Sequence, residues 1–240
     1  QATDLPGDTI AQTYNGGKAI PTKLGTLSAT VSVSGSPTKP NTLVTWNAPE
    51  AQYPAKGEIT IVGNSINLQN TTAQVEGGTA MINGTIVDGN IALNVKTDGI
   101  GLNKFSSELR GIFSSDLKVT GNIANLSPQT IRVAGTTRLS QGVAVIQDPI
   151  VADIEWTGKQ LNINNASAPG LSVNGTVFAD LGGKPDITGL DLNVKTQGLS
   201  LASLPANLPA NVTLSGSTDF DGKITGTPKA PSVNGNIALN

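Results

Sequence analysis

Apolar and polar residues alternate with period two along most of this 240-residue chain. That rhythm, more than any other feature, limits what the chain can fold into. Ala29, Val31 and Val33 alternate with Thr30, Ser32 and Ser34. Ile91, Leu93 and Val95 alternate with Ala92, Asn94 and Lys96, and Leu190, Leu192 and Val194 with Asp191 and Asn193. Successive side chains on a strand point to opposite faces, so each stretch predicts a half-buried strand with one apolar side. Helical spacing is confined to two places. One is Leu102, Phe105 and Leu109, where Asn103 or Ser106 suits a cap; the other is residues 201–208, broken by Pro205 and followed by Pro209.

Turn signals fix the register of three hairpins. A two-residue turn at Asp88-Gly89 pairs Val87 with Asn90, and so sets Ile86 opposite Ile91, Gly84 opposite Leu93 and Ile82 opposite Val95. A turn at Gly63-Asn64 pairs Ile61 with Ile66 and Ile59 with Leu68. One at Gly158-Lys159 pairs Trp156 with Leu161 and Ile154 with Ile163. Apolar meets apolar in each, with Gly84 as the one gap, while Thr60/Asn67 and Glu155/Asn162 share the other face. A slip of one residue would scramble all three patterns.

A repeat underlies the strands. Residues 58–73 (EITIVGNSINLQNTTA) match residues 153–168 (DIEWTGKQLNINNASA) without a gap, 95 residues apart. Ile82-Asn83-Gly84-Thr85 recurs as Val173-Asn174-Gly175-Thr176, Leu93-Asn94-Val95-Lys96-Thr97 as Leu192-Asn193-Val194-Lys195-Thr196, and Val119-Thr120-Gly121 as Ile224-Thr225-Gly226. Val33-Ser34-Gly35-Ser36-Pro37 resembles Ile224-Thr225-Gly226-Thr227-Pro228. The expected organisation is an irregular segment over 1–23, a partial unit over 24–57, unit 1 over 58–152 and unit 2 over 153–240. A pattern that stops mid-unit, with no initiator Met at Gln1 and no signal peptide, fits a piece of a longer repeat array.

Composition removes most chemistry. There is no His and no Cys, charged residues are 13% and the net charge is −2. Thiolate and imidazole metal sites, Cys or His catalysis and an electrostatic footprint for nucleic acid all go. The longest apolar runs, residues 143–146 and 149–152, fall far short of the ~18 residues of a spanning helix. In place of charge stand 27 Thr, 22 Asn and 18 Ser. Asp219, Asp221 and Lys223 around Phe220 could form an acid–base pair on one strand face, but with no second cluster beside them a solvated strand face is by far the better reading. Lys96 and Lys195 occupy equivalent repeat positions, which suggests a structural role shared by the two units, or a polar rim. Asp116, Asp148 and Asp153 are too scattered for a calcium loop. Gly99-Ile100-Gly101 reads as a turn, since it lacks the setting of a dinucleotide fingerprint. Asn70-Thr71-Thr72, Asn83-Gly84-Thr85 and Asn211-Val212-Thr213 fit the glycosylation sequon, as chance allows in a chain rich in Asn and Thr. No enzyme activity and no cofactor are expected.

The apolar face remains. It admits two readings: the closed core of a β-sandwich or barrel, or an open curved sheet whose apolar side is a groove. Only eight aromatic residues tilt the balance toward the groove, because rings supply much of a wide core's volume. Such a groove suits acyl chains, since at ~0.8 kcal/mol per buried methylene a 16-carbon chain gains on the order of 10 kcal/mol gross.

Residues 220–239 (FDGKITGTPKAPSVNGNIAL) carry a strand ending in Thr-Gly-Thr-Pro, a Pro-containing spacer, then Val-x-Gly-x-Ile-x-Leu. This resembles the recurring signature of the TamB and wider AsmA-like family. Residues 199–216, with Leu-Pro-Ala-Asn-Leu-Pro ahead of Leu-Ser-Gly, are similar to it as well, and residues 117–123 and 31–40 are weaker echoes. The neutral Thr/Asn-rich style resembles cyanobacterial members, related to a chloroplast envelope import component. The resemblance touches most of the chain after about residue 24 and rests on structural motifs. It implies an inner-membrane-anchored periplasmic bridge reaching the outer membrane, built as a taco-shaped β half-pipe with an apolar interior. Such proteins work with an outer-membrane assembly barrel and are implicated in phospholipid transfer and outer-membrane protein assembly.

The combined expectation is an all-β fold, a curved and mainly antiparallel sheet with one or two very short helical turns. Phospholipid would pass along a groove lined by Ile59, Ile61, Ile66, Leu68, Ile82, Ile91, Leu93, Val95, Ile154, Trp156, Leu161, Ile163, Leu190, Leu192, Val194, Ile224 and Ile237. Two alternatives stand: a chaperone track for outer-membrane protein strands, and a secreted β-solenoid or adhesin repeat with a closed core.

Overall fold

The computed structural model describes residues 1–14, 17, 22–104, 111–141, 148–181, 186–203 and 215–239. Its strands are β1 (Ala2–Pro6), β2 (Thr26–Ser36), β3 (Lys39–Ala48), β4 (Ala55–Val62), β5 (Ser65–Val75), β6 (Gly78–Val87), β7 (Asn90–Gly101) and β8 (Ile112–Asn122). They continue as β9 (Arg132–Leu139), β10 (Ile150–Trp156), β11 (Gln160–Ala168), β12 (Leu171–Asp180), β13 (Asp186–Ser200), β14 (Ser217–Thr227) and β15 (Ala230–Leu239). They form one open sheet in which strand order follows chain order, and the registered pairs are antiparallel. The fold is all-β.

All three hairpin registers are present. Gly84 faces Leu93 and Ile82 faces Val95; Ile59 faces Leu68 and Thr60 faces Asn67; Ile154 faces Ile163 and Trp156 faces Leu161. The chain divides into two compact units, one of Gln1–Gly101 with Lys118–Ala124, the other of Leu102–Leu117 with Asn125–Asn240. The repeat recurs inside them as matching registers. Leu68 faces Gly84 in β5/β6, and Ile163 faces Gly175 in β11/β12. Each of those pairings then shifts, at Leu68/Thr71 and at Ile163/Ala166. The extra residue of a bulge keeps Ala73 and Ala168 on the same side as Leu68 and Ile163. In the first bulge Asn70, at φ 51°, donates its amide to Asn83 Oδ1 at 3.0 Å and its Nδ2 to Glu58 Oε2 at 3.0 Å.

The first 23 residues differ from expectation. They hold β1 and an eight-residue helix, α1 (Gly7–Tyr14), a longer helix than the short turns anticipated. The reason is long-range: Asp8 accepts hydrogen bonds from Leu24 N at 2.7 Å and Gly25 N at 3.2 Å, Gly7 N donates to Gly25 O at 2.9 Å, and β1 pairs with β2. No local pattern carries such partners. Short 3₁₀ turns fall at Leu102–Lys104, Ile123–Asn125 and Leu201–Ser203. The rest of both anticipated helical segments, the apolar run 143–146 and the sequon at Asn211 lie outside the described residues.

Gly84 and Gly175 explain the gap in the apolar pattern. Their φ angles are 144° and 135°, and an added Cβ would stand 2.2 Å from Ala92 O and Asp191 O respectively. Only a residue without Cβ fits there. We therefore expect Gly84→Ala and Gly175→Ala each to lower stability by about 2–4 kcal/mol in urea unfolding. Gly63→Ala, at φ 57° with no atom within 4 Å of the added carbon, should cost only about 1 kcal/mol.

Candidate apolar binding face

Residues paired across a ladder share a face, so the registers trace the apolar side strand by strand. In the first unit Val31, Val44, Ile59, Leu68, Gly84 and Leu93 form one cross-strand row, with Ile61, Ile66, Ile86 and Ile91 beside it. Ile82 and Val95 continue the face. In the second unit the central row is Gly135, Ile154, Ile163, Gly175, Leu192, Ile224 and Val233. Trp156, Leu161, Val177 and Leu190 flank it on one side, and Val173 and Val194 on the other.

The seventeen residues read from the sequence therefore all lie on the apolar faces of their own units. Their exposure is the informative property. Ile91 and Trp156 are buried, at 8% each; Ile237 on β15 is 66% exposed; the other fourteen are half-buried. A closed sandwich core would bury such residues almost completely. Among the described residues no side chain is fully enclosed, and the buried apolar set is Ala48, Ala80, Ile91, Ile100, Trp156 and Ala166. Among the described residues, each unit thus presents a row of branched aliphatic side chains without a second layer sealing it.

Val44, Trp46, Ile86, Val133, Val173, Val177 and Phe220 belong to this face and were not among the seventeen. Their alternation was legible at Val44 and Trp46, but Leu43, 41% exposed on the opposite side, blurs it. The two tryptophans differ: Trp156 Nε1 donates to Pro128 O at 2.7 Å, whereas Trp46 Nε1 is buried and unpaired among the described residues. Phe220 lies over the glycine pair Gly222–Gly235; an added Cβ would meet its ring at 2.6 and 2.9 Å. The ring fills the space those glycines leave, as aromatic neighbours of strand glycines do.

The opposite face is neutral and wet. Asn193 Nδ2 donates to Asn174 Oδ1 at 2.9 Å, and Gln160 Nε2 to Asn162 Oδ1 at 2.9 Å. The acidic cluster of β14 belongs here: Asp221 pairs with Lys195 at 2.9 Å, Lys223 with Asp191 at 2.7 Å, and Asp219 Oδ1 accepts from Gly198 N at 2.6 Å. On the preceding strand Lys96 stands opposite Met81 and Lys195 opposite Ser172. Asp116 and Asp148 are exposed, and Asp153 Oδ1 accepts from Thr136 Oγ1 at 3.2 Å. Gly99 to Gly101 close β7. Of the two described sequons, Asn70 lies in the bulge and Asn83 in β6. Depressions of about 380 and 520 Å³ open between polar rows, the first lined chiefly by Thr45, Asn47, Lys56, Glu58 and Asn70, the second by Asn193, Lys223, Thr225 and Asn234. Ala29, Trp46 and Gly57 also line the first, and Gly222 the second.

No family model, no curated protein and no solved structure matches the chain.

The contrast between the two faces is measurable. Ile91→Ala should cost about 2–4 kcal/mol in chemical denaturation, because it empties a covered position. Asp221→Asn, which breaks a pair whose side chains are 67% and 63% exposed, should cost less than about 1 kcal/mol.

Proposed function

We propose that this chain binds phospholipid acyl chains on its apolar faces as a segment of a periplasmic bridge between inner and outer membranes. The observation that carries the reading is the half-exposure of fourteen aliphatic residues, brought into register on the apolar face of one unit or the other. Rows of Ile, Leu and Val offer dispersion contacts and no polar group, and acyl chains need nothing more. Binding is then partition from water without a covalent step. The resemblance of residues 220–239 to TamB-like repeats supports the same reading, with an outer-membrane assembly barrel as partner of the longer protein.

Purified protein from a Gram-negative host is expected to carry co-purifying phospholipid, seen by native mass spectrometry and by lipid extraction. A photocrosslinking residue at Leu93 or Leu192 should capture lipid, and one at Asn94 or Asn193, on the wet face, should not. Leu93→Lys and Leu192→Lys should abolish lipid capture while leaving the far-UV circular dichroism that of a β protein. Lipid-free protein and unlabelled crosslinkers at Leu93 and Leu192 would overturn the proposal.

A further inference from the structure

Trp156 is buried, at 8% exposure, although it stands in a cross-strand row whose other members are half-buried. That row is Val133, Trp156, Leu161, Val177 and Leu190, on the apolar face of the second compact unit. A loop covers the ring. Between β8 and β9 the chain runs nine residues, 123–131, and Pro128 O accepts a hydrogen bond from Trp156 Nε1 at 2.7 Å. Pro128 is itself exposed, so its carbonyl stands between the indole N–H and solvent. The next residue reaches the turn between β10 and β11, where a Cβ added to Gly158 would stand 2.1 Å from Gln129 O.

The repeat supplies a comparison. Trp156 corresponds to Ile61, 95 positions earlier. The neighbouring strands correspond too, since β9 sets Val133 opposite Trp156 and β3 sets Thr42 opposite Ile61. In the first unit β2 and β3 are joined by two residues, Pro37 and Thr38, where the later repeat has nine. Ile61 is half-buried. The long connection and the large ring with an N–H donor therefore occur together.

Residues 125–131 also hold their own shape. Thr130 Oγ1 accepts from Ser127 N at 3.0 Å and donates to Asn125 O. The amides of Thr130 and Ile131 both donate to Ser127 O, at 3.0 and 3.1 Å. None of these bonds involves a strand, so the loop can leave the sheet as one piece. Arg132, the first residue of β9, holds the hinge side: its Nη1 donates to Gln129 O at 3.3 Å and to Ile131 O at 3.1 Å. The far side is held by the indole.

We infer that residues 125–131 are a flap latched to Trp156, which keeps acyl chains off that end of the second unit's apolar face until it opens. The gate presupposes that these faces bind acyl chains, as proposed above. When the latch breaks, Nε1 loses Pro128 O and the ring joins Val133, Leu161, Val177 and Leu190 as contact surface. An acyl chain on that row and the flap then compete for the same side of the ring, which offers dispersion contact to either. The first unit carries a two-residue turn at the equivalent place, so the two faces differ in access.

The test compares the 240-residue chain with Trp156→Phe, which keeps an aromatic ring and removes the N–H donor. Hydrogen exchange read by mass spectrometry, without lipid, reports on the latch. A peptide covering residues 125–131 should exchange about fivefold faster in the variant, the factor that one lost hydrogen bond gives. Residues 58–68 should not change. A photocrosslinking residue at Leu161, or at its repeat counterpart Ile66, reports on the gate in the presence of phosphatidylethanolamine vesicles. Trp156→Phe should raise lipid capture at Leu161 by a similar factor, about fivefold, and leave capture at Ile66 as it was. Gly158→Ala, whose Cβ would strike Gln129 O, lifts the flap from its other side and should give the same two changes. Unaltered loop exchange in both variants would overturn the latch. Faster exchange with unaltered capture at Leu161, while Ile66 captures lipid, would overturn the gate. Lipid at neither position, with faster loop exchange, would overturn acyl binding itself and leave the latch standing.

Discussion

Everything in this molecule depends on cross-strand pairing between immediate chain neighbours. Each strand finds its ladder partner in the strand before and the strand after it, and no registered pair skips a strand. Hydrogen bonds of the ladder satisfy the backbone, and pairs such as Ile61–Ile66 and Leu190–Val177 supply side-chain contact at the same step. Stability is then approximately a sum of neighbour terms, as in repeat proteins, and does not rest on one enclosed core. The small set of buried apolar residues is the consequence.

An arrangement of this kind needs devices that keep the apolar side on one face over many strands. Bulges after Leu68 and Ile163 reset the alternation, and they sit at equivalent places in the two repeat units. Gly84 and Gly175 take backbone angles closed to other residues and stand where a side chain would strike the neighbouring carbonyl. Phe220 covers the glycine pair that joins β14 to β15. The polar face is held by different means, amide–amide hydrogen bonds and two exposed ion pairs. Neutral polar side chains suit that face, because they form cross-strand bonds without the repulsion that rows of like charge would bring.

The chemical poverty of the chain and its half-covered aliphatic rows fit together. On the proposed reading, a surface that takes up acyl chains by partition needs area and register, and no nucleophile, metal ligand or general base. The two ends of the sheet also differ. At β1 the edge strand is five residues long, bent at Asp4 and ended by Pro6, features that blunt an edge. At β15 the last strand described is ten residues long and uncharged.

The alternation and the turn dipeptides determined the all-β class, the register of three hairpins and the side on which each of the seventeen aliphatic residues lies. These are local matters: a period of two and a two-residue turn leave one pairing that sets apolar against apolar. Tertiary structure decided what local pattern does not encode. It placed β1 and α1 against residues 24 to 27 through Asp8, turned the gap at Gly84 into a conformational requirement, and added Val44, Trp46 and Phe220 to the apolar side. It also decided how far that side is covered. Alternation reports only which way a side chain points; whether a second layer seals it depends on how distant strands are arranged in space, and here the aliphatic rows of each unit stay half-exposed.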